Sequence, residues 1–287
     1  MHQITLYKVS KNELGNDDLQ SLLHVEANDR GLMYGDGLFE TILIKNRKPI
    51  FIEAHLKRMQ MGLRRLNIQF KVPSSRLIEF AQDDIMDSGE RDAVLRISIT
   101  RGKTSGPLGL SEATSPSVIF EIKPITEEPP NEITLITAAE RRNEYSLLSS
   151  IKSLNYLSNL AAKQEAIRMN VYDALLLNTK GEIAECTTSN IFAFIDQELV
   201  TPPLEAGILP GITRGVVMSL ASVLNIKESS RRITPEELLK ANEIFTTNSI
   251  KGILPVKKWN EKEFPGASGP LTQKLISLYN REIEKEF

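Results

Sequence analysis

The 287-residue chain is 41% hydrophobic and 25% charged with a formal charge of −2, the profile of an ordinary globular protein, and no Lys/Arg block points to a nucleic-acid partner. Its length favours two domains, and its one cysteine, Cys186, excludes an intrachain disulfide framework and fits a reducing, cytoplasmic setting. Three histidines and that cysteine leave no ordinary zinc ligand set, Met1 to Thr5 lack the regions of a signal peptide, and no apolar run is long enough for a membrane span.

In chain order, Ile4 to Val9 alternates weakly and predicts an edge strand. Asn28 to Gly37, with three glycines and two aspartates, predicts a shaped loop rather than an element. Glu40 to Ile44 and Pro49 to Ile52 predict a hairpin around Lys45-Asn46-Arg47-Lys48. Leu56, Met59, Leu63 and Leu66 recur at helical steps, so Glu53 to Leu66 predicts an amphipathic helix, and Ser75 to Met86 a second one stopping before Gly89. Strands follow at Ala93 to Thr100 and Val118 to Ile122, separated by a Gly/Pro-bearing loop, 101–116. Lys123 to Asn131, rich in proline and charge, predicts a linker between a smaller N-terminal domain (1–122) and a larger C-terminal domain (132–287). There the pattern gives a strand at Ile133 to Ala138 and a helix reaching about Met169. A strand at Ala174 to Leu177, a turn at Asn178 to Gly181 and a strand at Asn190 to Ile195 come next. Helices at Gly211 to Leu224 and Pro235 to Lys240, a strand at Glu243 to Thr247 and a closing helix at Leu271 to Ile283 complete a mixed α+β chain.

Four features carry chemistry. Lys152 sits among apolar and small polar residues in Ile151-Lys152-Ser153-Leu154-Asn155-Tyr156, just ahead of a helix. An amine stripped of hydration loses part of its proton affinity and becomes a nucleophile for carbonyl compounds, whereas an arbitrary lysine at such a place is a surface residue. Glu185, before the small hydroxyl run Thr187-Thr188-Ser189, is either an acidic partner for a protonated ring nitrogen or a turn carboxylate bonded to nearby amides. Leu209-Pro210-Gly211-Ile212-Thr213-Arg214 opens an apolar helix, and free N–H groups at a helix start suit a phosphate. Arg58 could grip the same phosphate with its fork of donors, or lie on a solvated helix face.

Taken together, Arg30-Gly31-x-x-Tyr34-Gly35-Asp36-Gly37-x-Phe39-Glu40, His55-x-x-Arg58, Lys152-Ser153-Leu154-Asn155-Tyr156, Glu185-x-x-x-x-Asn190 and Gly211-Ile212-Thr213-Arg214 resemble one family in order and spacing. It is the class IV aminotransferases, the fold-type IV pyridoxal-phosphate enzymes, which comprise branched-chain aminotransferases, D-amino-acid aminotransferases and aminodeoxychorismate lyases. The resemblance runs from about Asn28 to Val256. It implies the two-domain D-amino-acid-aminotransferase-like fold and a homodimer that turns over an amino acid and a 2-oxo acid. Lys152 would hold pyridoxal 5′-phosphate as a Schiff base and shuttle the substrate proton. Glu185 would pair with the ring nitrogen, Tyr156 would meet the ring oxygen, and Thr188 would lie against the ring. Arg58, Ile212, Thr213, Asn248 and Ser249 would hold the phosphate. Tyr34 and Phe39 would line the substrate pocket, Glu40 would lie near the lysine, and Arg30 and the 101–116 loop would act across the dimer interface.

The substrate carboxylate needs a cationic or amide-rich trap, and Arg96, Arg101 and Lys103 are the candidates. The loop has no histidine in Arg101 to Leu110, unlike the D-amino-acid aminotransferases that the chain resembles. Arg96 resembles a strand arginine that branched-chain enzymes use for a distal carboxylate, and Thr247-Asn248-Ser249-Ile250 looks more like the lyases. Transamination of a branched-chain L- or D-amino acid is the expected reaction. Pyruvate elimination giving 4-aminobenzoate is the alternative, and a non-catalytic dimeric scaffold is a reading of another class.

Overall fold

The computed structural model describes residues 5–9, 25–103 and 115–286, the first of these segments by its backbone alone. The chain divides into two units: Met1–Glu127 with Ile151–Asn155 and Glu286–Phe287, and Glu128–Ser150 with Tyr156–Lys285.

The first unit is built on a five-stranded sheet ordered β1-β5-β4-β2-β3. Its strands are β1 (Thr5–Val9), β2 (Gly37–Lys45), β3 (Lys48–Pro49), β4 (Ala93–Thr100) and β5 (Ser117–Pro124), and β1 takes the edge expected of it. Asn46 and Arg47 adopt φ of 50° and 62°, the left-handed pair that closes a two-residue hairpin between β2 and β3. Ile50 and Phe51 then turn the chain, so Ile52 starts a helix instead of ending a strand.

Alternation along β2 separates two faces. Leu38, Ile42 and Ile44 point into the core, opposite Ile99, Leu95 and Ala93 of β4. They pack beneath α2 (Ile52–Arg65), whose Leu56, Met59 and Leu63 fall on its buried stripe, and near α3 (Ser74–Ser88). Phe39 and Thr41 lie on the opposite face with their cross-strand partners Ser98 and Arg96. The segment 28–37, expected as a loop, contains a short helix, α1 (Arg30–Tyr34). Asp29 caps it by accepting from the Gly31 amide, and Gly35, at φ 66°, ends it in the left-handed conformation. A turn-rich composition hid a one-turn helix that has both of its caps.

The second unit holds a nine-stranded mixed sheet, β11-β10-β9-β12-β13-β6-β7-β8, with β14 paired to β13. Its strands are β6 (Ile133–Arg142), β7 (Asp173–Asn178), β8 (Ile183–Cys186), β9 (Asn190–Ile195), β10 (Glu198–Thr201), β11 (Lys227–Ser230), β12 (Glu243–Asn248), β13 (Gly252–Trp259) and β14 (Lys262–Glu263). Helices α4 (Leu157–Arg168), α5 (Ile212–Val223), α6 (Pro235–Leu238) and α7 (Pro270–Glu284) complete it. Every residue of β7 and β9 is buried, as expected of strands covered on both faces. Thr234 caps α6, its hydroxyl oxygen accepting from the Glu237 amide.

The lysine stretch departs from the sequence expectation. The sequence places it in the C-terminal domain, whereas Ile151–Asn155 goes with the first unit. The cause is main-chain pairing. Phe39 donates its N–H to the Lys152 carbonyl (2.9 Å), Leu154 donates to the Gly37 carbonyl (3.0 Å), and Ser153 bridges Leu38 in antiparallel fashion. The stretch thereby extends the sheet beside β2.

Candidate active site

Pairing with β2 dictates where Lys152 points. Ser153 lies opposite Leu38 and is buried, so its neighbour Lys152 projects to the face of Phe39. Its Nζ stands 4.5 Å from the centre of the Phe39 ring, and the Arg96 guanidinium carbon stands 3.9 Å from the same centre. Arg96 also donates from Nε to Ser98 Oγ at 3.3 Å. An amine, a guanidinium and an aromatic face therefore share one side of the sheet.

The core face of the same strands carries a buried charge cluster. Glu40 occupies a position in β2 where the alternation calls for an aliphatic residue. Arg58 grips it with Nε on Oε1 (2.8 Å) and Nη2 on Oε2 (2.6 Å), and His55 Nδ1 meets Oε2 at 2.7 Å. The His-x-x-Arg spacing puts both side chains on one face of α2. Burial pushes the Glu40 carboxyl up, but the Arg58 charge and hydrogen bond, helped by His55, overcome it and hold the group at about 2. Burial lowers His55, and the Arg58 and Lys152 charges add to that against the opposing pull of Glu40. A neutral imidazole facing a carboxylate donates from Nδ1, and Nε2 is then a buried acceptor with no hydrogen-bond partner among the described residues.

In the second unit, Glu185 lies in β8, a strand that its own polar side chain concealed in the sequence. It is buried, and its oxygens are held by Arg142 Nη2 (2.9 Å), the Asn190 amide (3.1 Å) and the Leu209 N–H (3.0 Å). Tyr156 donates to the Thr187 carbonyl (3.2 Å), as does the Asn159 amide (2.7 Å). Thr187 Oγ1 in turn donates to the buried Asp173, whose carboxyl is raised by burial against the pull of Lys163 and the hydrogen bonds from Thr187 and the Ala174 amide.

At the start of α5, the N-cap is Gly211, which has no side chain to cap the helix. A Cβ at Gly211 would lie 2.0 Å from Asn190 Oδ1, so glycine allows the amide that braces Glu185 to approach. Thr213 is buried, and its hydroxyl meets Tyr279 of α7 at 3.3 Å, while Ile212 is half-buried. Ser249 is half-buried as well. Asn248 uses Oδ1 on its own turn, accepting from the amides of Ile250 (3.0 Å) and Lys251 (2.7 Å).

Other expected residues do different work. Arg101 is buried and donates to both Asp36 oxygens and to the carbonyls of Leu66 and Asn67, and Arg30 donates from Nε to the same Asp36. These contacts brace α1 against the end of β4. Lys103 is exposed near Glu26 at 3.5 Å, Tyr34 and Thr188 are exposed, and residues 104–114 of the expected substrate loop lie outside the described residues.

Sequence reasoning missed Arg142. Besides Glu185, it donates to the Gly207 carbonyl (2.9 Å), Asn159 Oδ1 (3.2 Å) and the Ser149 carbonyl (3.4 Å). It ends β6, which runs four residues beyond the expected Ala138, and the polar tail Glu140-Arg141-Arg142 gave no strand periodicity. Among the described residues no cluster could hold a metal ion, and no helix is long and apolar enough to cross a membrane.

Residues 37–259 match the family model "Amino-transferase class IV". A Methanocaldococcus jannaschii protein provisionally named a branched-chain-amino-acid aminotransferase is 33% identical over 88% of each chain. The D-alanine aminotransferase of Bacillus licheniformis is 29% identical over 91% of this chain and 93% of its own, and the aminodeoxychorismate lyase of Bacillus subtilis is 29% identical over 89% and 88%. Among solved structures, the Thermoproteus uzoniensis branched-chain aminotransferase superposes with a TM-score of 0.84 at 26% identity, covering 93% of this chain and 92% of that one. The Pseudomonas aeruginosa 4-amino-4-deoxychorismate lyase gives 0.83 at 29% over 91% and 96%. The mixed α+β fold is thus the fold-type IV architecture, and the chain belongs to the class IV aminotransferase family.

Proposed function

We propose that the chain is a pyridoxal-5′-phosphate-dependent aminotransferase that moves the amino group of a branched-chain L- or D-amino acid to a 2-oxo acid. The observation that carries this reading is Lys152, fixed by its own backbone beside β2 with its amine against Phe39. The remaining side chains fit the cofactor. Glu185 is a buried carboxylate held by Arg142, Asn190 and the Leu209 amide, Gly211 gives α5 no side-chain cap, and the buried Thr247 hydroxyl has no hydrogen-bond partner among the described residues. Thr247 pairs across strands with Asn190, so it lies on the face that carries Glu185's amide brace.

When bound, the cofactor supplies an electron-withdrawing ring that accepts the electron pair left by removal of an amino acid's α-proton. Lys152 would hold it covalently, and its ε-amine, once released, would carry the α-proton. Glu185 would accept a hydrogen bond from the ring nitrogen and balance its charge, with Arg142 keeping the carboxylate in place. The Ile212 and Thr213 amides, Asn248 and Ser249 would hold the phosphate, with Arg58 adding guanidinium donors beyond the two that bond Glu40, and Tyr156 and Thr188 would meet the ring and its oxygen. Phe39 would wall the substrate pocket. Arg96, beside Lys152 on the same ring, is the better carboxylate trap, since Arg101 is committed to Asp36.

Asn248 and the lyase relatives support a second reading, elimination of pyruvate. One experiment separates the two. Protein loaded with cofactor is given L-leucine, L-glutamate, D-alanine and aminodeoxychorismate singly, and its visible band is followed. Loss of the band with an amino acid, restored by a 2-oxo acid, is expected. Pyruvate released from aminodeoxychorismate without amine transfer would replace the proposal with the lyase, and a protein that never takes up a visible band would leave only the scaffold.

A further inference from the structure

Tyr279 lies in α7, far in sequence from every motif described above, yet two of the segments assigned to the cofactor phosphate converge on it. Its hydroxyl is 3.3 Å from Thr213 Oγ1 in the first turn of α5. Its ring packs on Gly252, three residues past Ser249, where an added Cβ would stand 3.0 Å from Cε1 and where φ is +67°. The helix that carries it is held at its start by the buried Glu243, which accepts from the amides of Leu271 (3.1 Å) and Thr272 (2.8 Å) and from the Thr272 hydroxyl (2.7 Å). Glu243 begins β12, and β12 ends at Asn248. One strand therefore anchors α7 at one end and delivers the Asn248-Ser249 turn at the other.

We infer that Tyr279 is a positioning residue for phosphate binding, donating its hydroxyl proton to Thr213 so that the Thr213 hydroxyl keeps its own proton for the ligand. This inference rests on the cofactor reading above. Chemistry supports the direction of the bond. A threonine hydroxyl has one proton and two lone pairs, so a phenol that supplies the proton of their shared contact leaves the threonine free to donate elsewhere. Tyr279 is 2% exposed, and burial raises its pKa against the pull of its bond to Thr213, so the phenol keeps its proton at neutral and mildly alkaline pH. The same ring braces the Gly252 turn, so a single side chain sets the distance between α5 and the loop after β12.

The test measures cofactor affinity by visible absorbance in the full chain, with no substrate present. Pyridoxal 5′-phosphate and unphosphorylated pyridoxal are titrated into the unsubstituted chain, Tyr279→Phe, Thr213→Val and the double variant. Loss of one neutral hydrogen bond is expected to weaken the phosphate ester by about three- to tenfold. Pyridoxal affinity should not change, and Tyr279→Phe should add nothing in the Thr213→Val background. Unchanged affinity for the phosphate ester in Tyr279→Phe, or equal weakening of both aldehydes, would overturn the inference. No band in the unsubstituted chain would overturn the functional reading first, so the two failures are distinguishable.

Discussion

Glu40 stands where Leu38, Ile42 and Ile44 set an apolar row, and it is tolerated there because Arg58 and His55 meet both of its oxygens. Removing one partner of a buried pair leaves the other charge unsolvated, at a cost of about 3–5 kcal/mol. Glu40→Gln is expected to lose stability in that range by urea unfolding, whereas a loss near zero would mean that Arg58 finds water or another acceptor. His55 makes a pH-dependent contribution of known sign. Its folded value lies below 6.5, so as pH falls past 6.5 the unfolded chain takes up a proton that the folded chain refuses. Stability should therefore fall between pH 7 and 5, and His55→Gln should flatten the slope over that window. An equal slope in both proteins would place the titration elsewhere. Arg142 is predicted to matter through Glu185: Arg142→Met should reduce turnover at least tenfold while the chain stays folded. The sequence made Arg58, His55 and Glu40 visible as residue types at suggestive spacings. It could not show that Arg58's fork closes on Glu40, because a partner 18 positions away is a fact of tertiary packing.

Elements with periodicity or strong punctuation were readable. Helix α2 has a regular apolar stripe, α3 ends at Gly89 with φ 71°, and β4 and β9 match their expected limits. Elements rich in polar residues were not. Glu185 interrupts β8, β11 is Lys-Glu-Ser-Ser, and the tail of β6 holds charged residues, so no alternation survives in any of them. Two glycines of opposite environment test this scale. At Gly102, φ is +89° and a Cβ would meet the Ser115 carbonyl at 1.8 Å, so Gly102→Ala should destabilise the base of the 101–116 loop by more than the ~1–3 kcal/mol of backbone strain alone. Gly215 lies exposed within α5 with nothing near its Cβ, and Gly215→Ala should stabilise the chain by about 0.5–1 kcal/mol. Thermal unfolding of the pair should move in opposite directions, and a shift of the same sign would contradict the local accounting.

At the scale of the molecule, the two units part between Glu127 and Glu128. Hydrophobic pattern could not reveal that five residues around Lys152 return to the first unit, since main-chain pairing to β2 leaves no trace in side-chain type. The homodimer implied by the resemblance is expected to sediment at twice the 32.2 kDa chain mass, with Tyr145, Leu157 and Leu160, 75%, 80% and 52% exposed, as apolar surface available for contact. A species at the single-chain mass would count against it. The central claim, however, concerns one amine. Protein incubated with pyridoxal 5′-phosphate, reduced with borohydride and mapped by peptide mass spectrometry should carry the pyridoxyl label on Lys152, and Lys152→Ala should carry none. Label on a different lysine, or an unlabelled protein, would contradict the account.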